Sequence, residues 1–428
     1  MYKEMGEVKE FTHKPNIGNR RVFTSEQETE LASYLVKAAK ISHGLTAVQT
    51  RTLAYEYALL IESPLIPDVW KSTKQAGYDW LKGFMKRSGD LSLRTPEPTS
   101  LSRATSFNAL NVRIFYEKLA EVMNRYKFTA DRIYNADETG ITTVHKPPKT
   151  IAKRGQKQVS QITSGERGQL VTMLCIVNAI GNTLPPVFIF PRTNYKEFML
   201  HGAPPQSLGL AYKTGWMTCD NFLAALKHLA KYSFCTLDNP ILLLIDNSET
   251  HISVEIIKFS KENGIVILTF TPHCSHRMQP LDVSVFGPFK GRYNAAANNW
   301  MITNPGKTIT IYNVAELAGI AFSLAFTRSN IQSGFHKSGI YPFNKEIFTE
   351  EDFLSAYVTD RPNPIIAPET SPSQNDVSQP GTSKEVEKPL LDLAVPVPSS
   401  NDTKHLSIEV IRPYPKAAPR KACRGRKK

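Results

Sequence analysis

Ile241-Leu242-Leu243-Leu244-Ile245-Asp246 is the stretch on which the fold turns. Five consecutive apolar residues closed by an acid make a strand, too short for a helix, that delivers a carboxylate at its end. Comparable apolar runs lie on either side at 132–135, 170–179, 186–190 and 265–270, and helix-like stretches at 222–232 and 253–263 separate the later ones. Strands first, then strand and helix in alternation, predict a mixed sheet with helices on its faces. Asn178-Ala179-Ile180-Gly181-Asn182 carries a hairpin signal, which gives that sheet an antiparallel start.

Two more acids occupy similar places. Asp137, in Tyr134-Asn135-Ala136-Asp137-Glu138-Thr139-Gly140, follows a predicted strand, and Asp282 follows Gln279-Pro280-Leu281 at the predicted start of a helix. Singly, each is an ordinary turn or cap residue. Carboxylates at the ends of adjacent strands can converge, and hard oxygen donors suit Mg²⁺ or Mn²⁺. Two such ions about 4 Å apart activate a water or a 3′-hydroxyl and stabilise both the attacking and the leaving oxygen of a phosphodiester. The 35 residues between Asp246 and Asp282 leave room for a helix, a strand and a loop. Glu138 alternates to the other side of its strand and reads as structural. His273, Cys274 and His276 stand close in sequence, but no second Cys/His pair completes a zinc site.

The totals favour an acidic partner such as nucleic acid, a bias that ribosomal and membrane-surface proteins share. Lys and Arg outnumber Asp and Glu by 52 to 39, a net charge of +13, which favours an acidic partner over a neutral metabolite. Five scattered cysteines without a CxxC pair argue against a disulfide framework. No run of about 18 apolar residues is present to cross a bilayer, so a soluble, intracellular protein without a membrane partner is expected.

Ahead of the sheet, residues 21–95 read as an all-α unit. Thr24 with Gln27, and Thr46 with Gln49, have the spacing of capping boxes that start two helices. A loop rich in Pro64, Pro67 and Ser72 follows, and a basic helix begins after Gly77, with Trp80 and Phe84 one turn apart and facing inward. Lys82, Lys86 and Arg87 on that helix, with Arg94 and Arg103 beyond it, would meet phosphates or base edges if the helix enters a major groove; otherwise they are a solvated face. The expected organisation is a disordered leader at 1–20, the helical unit at 21–95, a helical linker at 96–128, the α/β domain at 129–345 and a disordered Pro/Ser-rich tail at 346–428. Arg412, Lys416, Arg420, Lys421, Arg424, Arg426, Lys427 and Lys428 make the end of that tail basic, as in a nuclear localisation signal or a nonspecific DNA contact.

Longer strings carry a family resemblance. Asn135-Ala136-Asp137-Glu138-Thr139-Gly140, Ser164-Gly165-Glu166-Arg167-Gly168, Asp246-Asn247 and Pro272-His273-Cys274-Ser275-His276-Arg277-Met278-Gln279-Pro280-Leu281-Asp282-Val283 resemble the DDE endonuclease domain of pogo, tigger and jerky transposases in the mariner superfamily. Gly334-Phe335-His336-Lys337-Ser338-Gly339-Ile340-Tyr341-Pro342-Phe343-Asn344 is similar to the same group. Residues 76–87, with Leu91-Ser92-Leu93-Arg94, resemble a helix-turn-helix module of centromere-protein-B type. The resemblance implies a ribonuclease-H-like domain in which Asp137, Asp246 and Asp282 are both catalytic and metal-binding, with Mg²⁺ or Mn²⁺ as cofactor. It further implies double-stranded DNA as partner, a nuclear location and room for a homodimer. Relatives carry another helix-turn-helix module in front, whereas about twenty residues precede Arg21 here. The function expected is metal-dependent DNA cleavage and strand transfer; the alternative is a host-retained, non-catalytic DNA-binding or chromatin-associated protein that keeps the fold. A ribonuclease acting on hybrids is a third reading.

Overall fold

Thr24 and Thr46 start the first two helices as their spacing predicts. Each threonine accepts from the backbone N–H three residues on, and Gln27 and Gln49 reach back to the threonine N–H at 2.9 Å in both cases. The computed structural model describes residues 21–359 and 407–417, divided between a helical unit, drawn from residues up to 98 and from 358 onward, and an α/β unit of residues 99–357. The leader assigned to 1–20, most of the tail (360–406 and 418–428) and the basic residues from Arg420 onward lie outside the described residues.

The helical unit contains α1 (Ser25–Lys40), α2 (Ala47–Leu60), α3 (Asp68–Thr73) and α4 (Tyr78–Arg87). Residues read as loop from sequence around Pro67 thus include a short helix, α3, which buries Trp70. Leu31, Leu53, Tyr57 and Phe84 are buried together, Phe23 stacks on Tyr57 at 5.5 Å between centroids, and Trp80 stacks on Phe84 at 5.1 Å. Burying Glu28 on α1 requires a countercharge, supplied by Arg87 of α4 through Nε at 2.8 Å and a second guanidinium nitrogen at 2.5 Å.

The tail expectation needs correction. Residues 407–417 pack into the same core: Ile408 is 1% exposed, Tyr414 stacks on Tyr34 at 4.8 Å, and the Tyr34 hydroxyl donates to the Arg412 carbonyl at 2.9 Å. The Ile408 N–H donates to Glu30, whose other oxygen accepts from the Tyr57 hydroxyl. Composition averaged over the whole tail hid this segment, because Ile408, Ile411 and Tyr414 are three apolar anchors in a polar background.

In the α/β unit, α5 (Leu101–Ser106) and α6 (Ala109–Tyr126) precede the sheet. Residues 96–128 are therefore not a linker: Val112, Phe115, Tyr116 and Leu119 of α6 are buried against the sheet. The strands are β1 (Ile133–Thr142), β2 (Leu170–Asn178), β3 (Val187–Pro191), β4 (Leu208–Tyr212), β5 (Ile241–Ile245) and β6 (Ile265–Thr269). They lie in the order β4-β3-β2-β1-β5-β6. The first three pair antiparallel, with the Asn178–Asn182 turn closing β2 onto β3, while β4, β5 and β6 join their neighbours in parallel. This is the mixed sheet with an antiparallel start that the apolar runs predict. β4 was not legible, being a short edge strand of only partly buried residues.

Helices cover both faces. Leu242 and Leu244 face one core and Ile241, Leu243 and Ile245 the other, which is why β5 is apolar throughout. The second face is covered by α7 (Cys219–Ser233) and α8 (Val254–Glu262). The first is covered by α6 and by the helices that follow β6, namely the single turn α9 (Ser275–Met278), α10 (Phe286–Thr303), α11 (Ile311–Ala325) and α12 (Arg328–Lys337). The unit also runs past the expected end at 345: Phe348 and Phe353 pack on Phe107, and α13 (Leu354–Thr359) follows.

The packing of Ile408 makes the C-terminal segment part of the helical unit's stability. Ile408→Ala should cost about 2–4 kcal/mol there. Hydrogen exchange on the full chain should then show the amides of α1 and α2 exchanging faster, whereas unchanged protection would contradict the packing described.

Candidate active site

β1 and β5 run side by side in parallel, with Asn135 opposite Leu244. Two residues further along each strand stand Asp137 and Asp246, so the register brings these two carboxylates together on the face covered by α9 to α12. The sequence reading placed Asp137 at a strand end; it lies instead in mid-strand, opposite Cys175 of β2, because β1 continues to Thr142 through polar residues. Asp246 is, as expected, the first residue after its strand.

Asp282 is brought to the same place by a buried polar clasp. Asn135 and Gln279 are both fully buried. The Asn135 amide donates to the Leu244 carbonyl at 3.0 Å and to the Gln279 side-chain oxygen, and its own oxygen accepts from the Leu281 N–H at 3.2 Å. Gln279 in turn donates to the Ala136 carbonyl at 3.3 Å. One asparagine thus ties β1, β5 and the Gln279-Pro280-Leu281 turn together, and Asp282 is the next residue, in a wide turn at 281–285 that leads into α10. Gly334 of α12 holds the outside of that turn. A Cβ there would lie 2.4 Å from the Pro280 carbonyl oxygen and 2.6 Å from the Ser284 hydroxyl, which donates to the Asn330 carbonyl at 2.6 Å. Two of the sequence strings, 272–283 and 334–344, are therefore the two sides of one contact.

The charges on these residues interact. Burial, followed by the Asp282 charge, pushes the Asp137 carboxyl well above its ordinary range, with Glu138 and Asp246 adding to the rise; the Glu138 N–H, donating at 2.9 Å, opposes it. Burial also raises Asp282, and Asp246 adds to this against the opposing charges of Lys290 and Arg103. Burial would raise Asp246 too, but His251 and the Ser248 N–H outweigh it and hold this carboxyl low. Among the described residues, no three His, Cys, Asp or Glu side chains stand close enough to form a ready-made cage for a cation. The donor set nonetheless fits a hard divalent ion. Three carboxylates share one neighbourhood, and burial followed by acidic neighbours raises two of them, Asp137 and Asp282, a cost that a cation removes.

His251 escaped the sequence reading. It is 2% exposed, its Nε2 lies 2.9 Å from a Glu138 oxygen and its Nδ1 2.6 Å from Asp246 Oδ1, close but poorly aligned for a hydrogen bond. The one available signal was its place five residues after Asp246. Cys274 is buried with its thiol toward the Ser106 carbonyl, and His276 packs edge-on against Phe107.

The basic residues divide. Lys82, Lys86, Arg87 and Arg94 are all exposed in the helical unit, and Arg87 also pairs with Glu28. Arg103 lies in the α/β unit, where its charge acts on Asp282 and His276. In the 164–168 string the Ser164 hydroxyl donates to the Thr143 carbonyl beyond β1, and Arg167 lines a recess with Arg192 and Thr310.

Residues 167–335 match the model of the DDE superfamily endonuclease family; Asp246 and Asp282 fall within the match and Asp137 precedes it. Over 230 residues the chain is 25% identical to a pogo transposable element with KRAB domain from Mus musculus, an alignment covering 53% of this chain and 37% of that protein. Over residues 167–335 the chain thus resembles DDE superfamily endonucleases, and over about half its length it is similar to pogo transposable-element proteins. It is also 28% identical over 233 residues to a protein of Cochliobolus lunatus named as the MFS-type transporter clz9, covering 52% of this chain and 24% of that one. No helix among the described residues is long and apolar enough to cross a membrane. The chain thus spans 24% to 37% of the length of these curated relatives. Among solved structures it is similar to the Mos1 strand transfer complex, at 13% identity and a TM-score of 0.43, covering 80% of this chain and 79% of that one.

The Asn135–Gln279 clasp gives the site a measurable signature. Asn135→Ala and Gln279→Ala should each cost about 1–3 kcal/mol by leaving buried partners unsatisfied. Because they share one network, the double variant should lose clearly less than the two losses added. Urea unfolding of the four proteins measures this, and strict additivity would contradict the clasp.

Proposed function

We propose that this chain binds double-stranded DNA and cuts and joins its strands at Asp137, Asp246 and Asp282. The observation that carries the reading is the buried Asn135–Gln279 clasp, which brings a third carboxylate, distant in sequence, to two aspartates on neighbouring parallel strands. Those three side chains would hold Mg²⁺ or Mn²⁺. Divalent ions supply charge stabilisation to the attacking and leaving oxygens of a phosphodiester in displacement of this kind. The chain's own residues do the rest: β1 and β5 fix two carboxylates rigidly, the 279–282 turn sets the third, and Lys290 and Arg103 add positive charge beside Asp282 that suits a phosphate backbone.

The DNA-binding half of the reading rests on the helical unit, which we take as a helix-turn-helix module of centromere-protein-B type. Lys82 and Lys86 are exposed on α4, with Arg94 beyond, and Arg87 at the end of the helix is exposed as well while pairing with Glu28. Nuclear location is proposed from the basic residues at 412–428, and a fluorescent fusion lacking residues 418–428 checks it: unchanged nuclear accumulation would sink that assignment. Homodimerisation is proposed from the kinship alone. The second reading, a non-catalytic DNA-binding or chromatin-associated protein, is favoured by one observation, the absence of a ready-made cation cage among the described residues.

Supercoiled plasmid incubated with purified chain and Mg²⁺ or Mn²⁺ separates the two. The catalytic reading expects nicking that EDTA abolishes and that Asp246→Asn reduces to background. Plasmid left intact, by protein that still binds a linear duplex, would establish the non-catalytic role. In the same preparation Lys82→Ala and Lys86→Ala should each lower the salt dependence of duplex binding by about one released ion. Arg87→Ala should instead lower stability.

A further inference from the structure

His251 is sealed in the fold, yet both of its ring nitrogens face carboxylates. It lies at the end of a five-residue loop from Asp246 that is closed on itself: the Ser248 N–H donates to Asp246 Oδ1 at 3.2 Å, and the His251 N–H donates to the Ser248 carbonyl at 3.0 Å. Its ring packs against Phe222 of α7, with centroids 4.2 Å apart. From there Nε2 meets Glu138 at 2.9 Å, and Nδ1 lies 2.6 Å from the same Asp246 Oδ1 that Ser248 reaches. Oδ2 of Asp246 takes no protein donor among the described residues.

This asymmetry is what a metal ligand needs. A carboxylate that is free at both oxygens rotates, and ordering it costs part of any cation affinity. A carboxylate pinned at one oxygen offers the other in a fixed direction. Glu138, on the opposite side of β1 from Asp137, has no place in the triad but is well placed to anchor the imidazole. The chain carboxylate–imidazole–carboxylate has the form of the outer shell that orients ligands around protein-bound metals.

We propose that His251, anchored by Glu138, is a positioning residue that aims Asp246 Oδ2 into the cation site. The proposal rests on the reading of Asp246 as a ligand. It accounts for an imidazole buried between two acids.

Mn²⁺ titrated into the full chain, with the free ion followed by electron paramagnetic resonance, tests this without any need for turnover. His251→Phe keeps a ring on Phe222 and removes both ring nitrogens; it should weaken Mn²⁺ binding by about 10- to 100-fold. His251→Gln, which retains one donor, should lose about tenfold or less. Thermal melting in EDTA establishes that each variant is folded, and if the Phe variant does not fold, the Gln variant decides alone. A purely structural histidine would lower the melting temperature and leave the dissociation constant of the folded protein unmoved. Wild-type Mn²⁺ affinity in the folded His251 variants, with Asp246→Asn losing the ion, would overturn the proposal. Wild-type affinity in Asp246→Asn itself would overturn the reading beneath it.

Discussion

A single buried asparagine carries much of the architecture. Asn135 sits in the middle of a six-stranded sheet, where a polar side chain costs free energy unless its hydrogen bonds are made. It makes them to β5, to the Gln279 side chain and to the Leu281 N–H, and so converts a local desolvation problem into a fixed distance between two strands and a distant turn. Replacing both partners with apolar groups could preserve the core but would remove the hydrogen bonds that tie the turn to β1 and β5. The close approach of Gly334 then presses the same turn from outside. Asp282 is held by consequence, with no need for direct contacts of its own.

The electrostatics follow from that convergence. Carboxylates forced into one neighbourhood divide their burden unequally: Asp137 and Asp282 are driven up by burial and by acidic neighbours, while Asp246 is held down by His251. His251 is itself pushed up to about 10, because the two acids it faces outweigh the burial that would lower it. Such an arrangement is poor for stability and suited to a cation, since a divalent charge relieves the repulsion that the fold creates.

Much of this was legible in the sequence, and the misses have physical causes. The apolar run 241–245 announced a strand, and the threonine–glutamine spacings announced α1 and α2. The end of β1 was misplaced because Asp137, Glu138 and Thr139 look like a turn in sequence, yet they continue a strand that β2 covers through Thr142. Residues 96–128 looked like a connector because a helix with one apolar stripe does not reveal whether a sheet lies against it, and α6 meets one. The pairing of Arg87 with Glu28 was not legible, because sequence shows charge and not pairing. His251 was silent because its two partners, Glu138 and Asp246, come together only through the parallel pairing of β1 and β5. The 407–417 segment was hidden by the composition that surrounds it.

The central claim is that three aspartates, far apart in sequence, are set to share divalent cations. Anomalous diffraction from crystals of the chain grown with Mn²⁺ tests it most directly. The account predicts manganese peaks bounded by oxygens of Asp137, Asp246 and Asp282, at metal–oxygen distances of about 2.0–2.3 Å. Manganese bound elsewhere, or a site that leaves Asp282 uncoordinated at saturating metal, would contradict it.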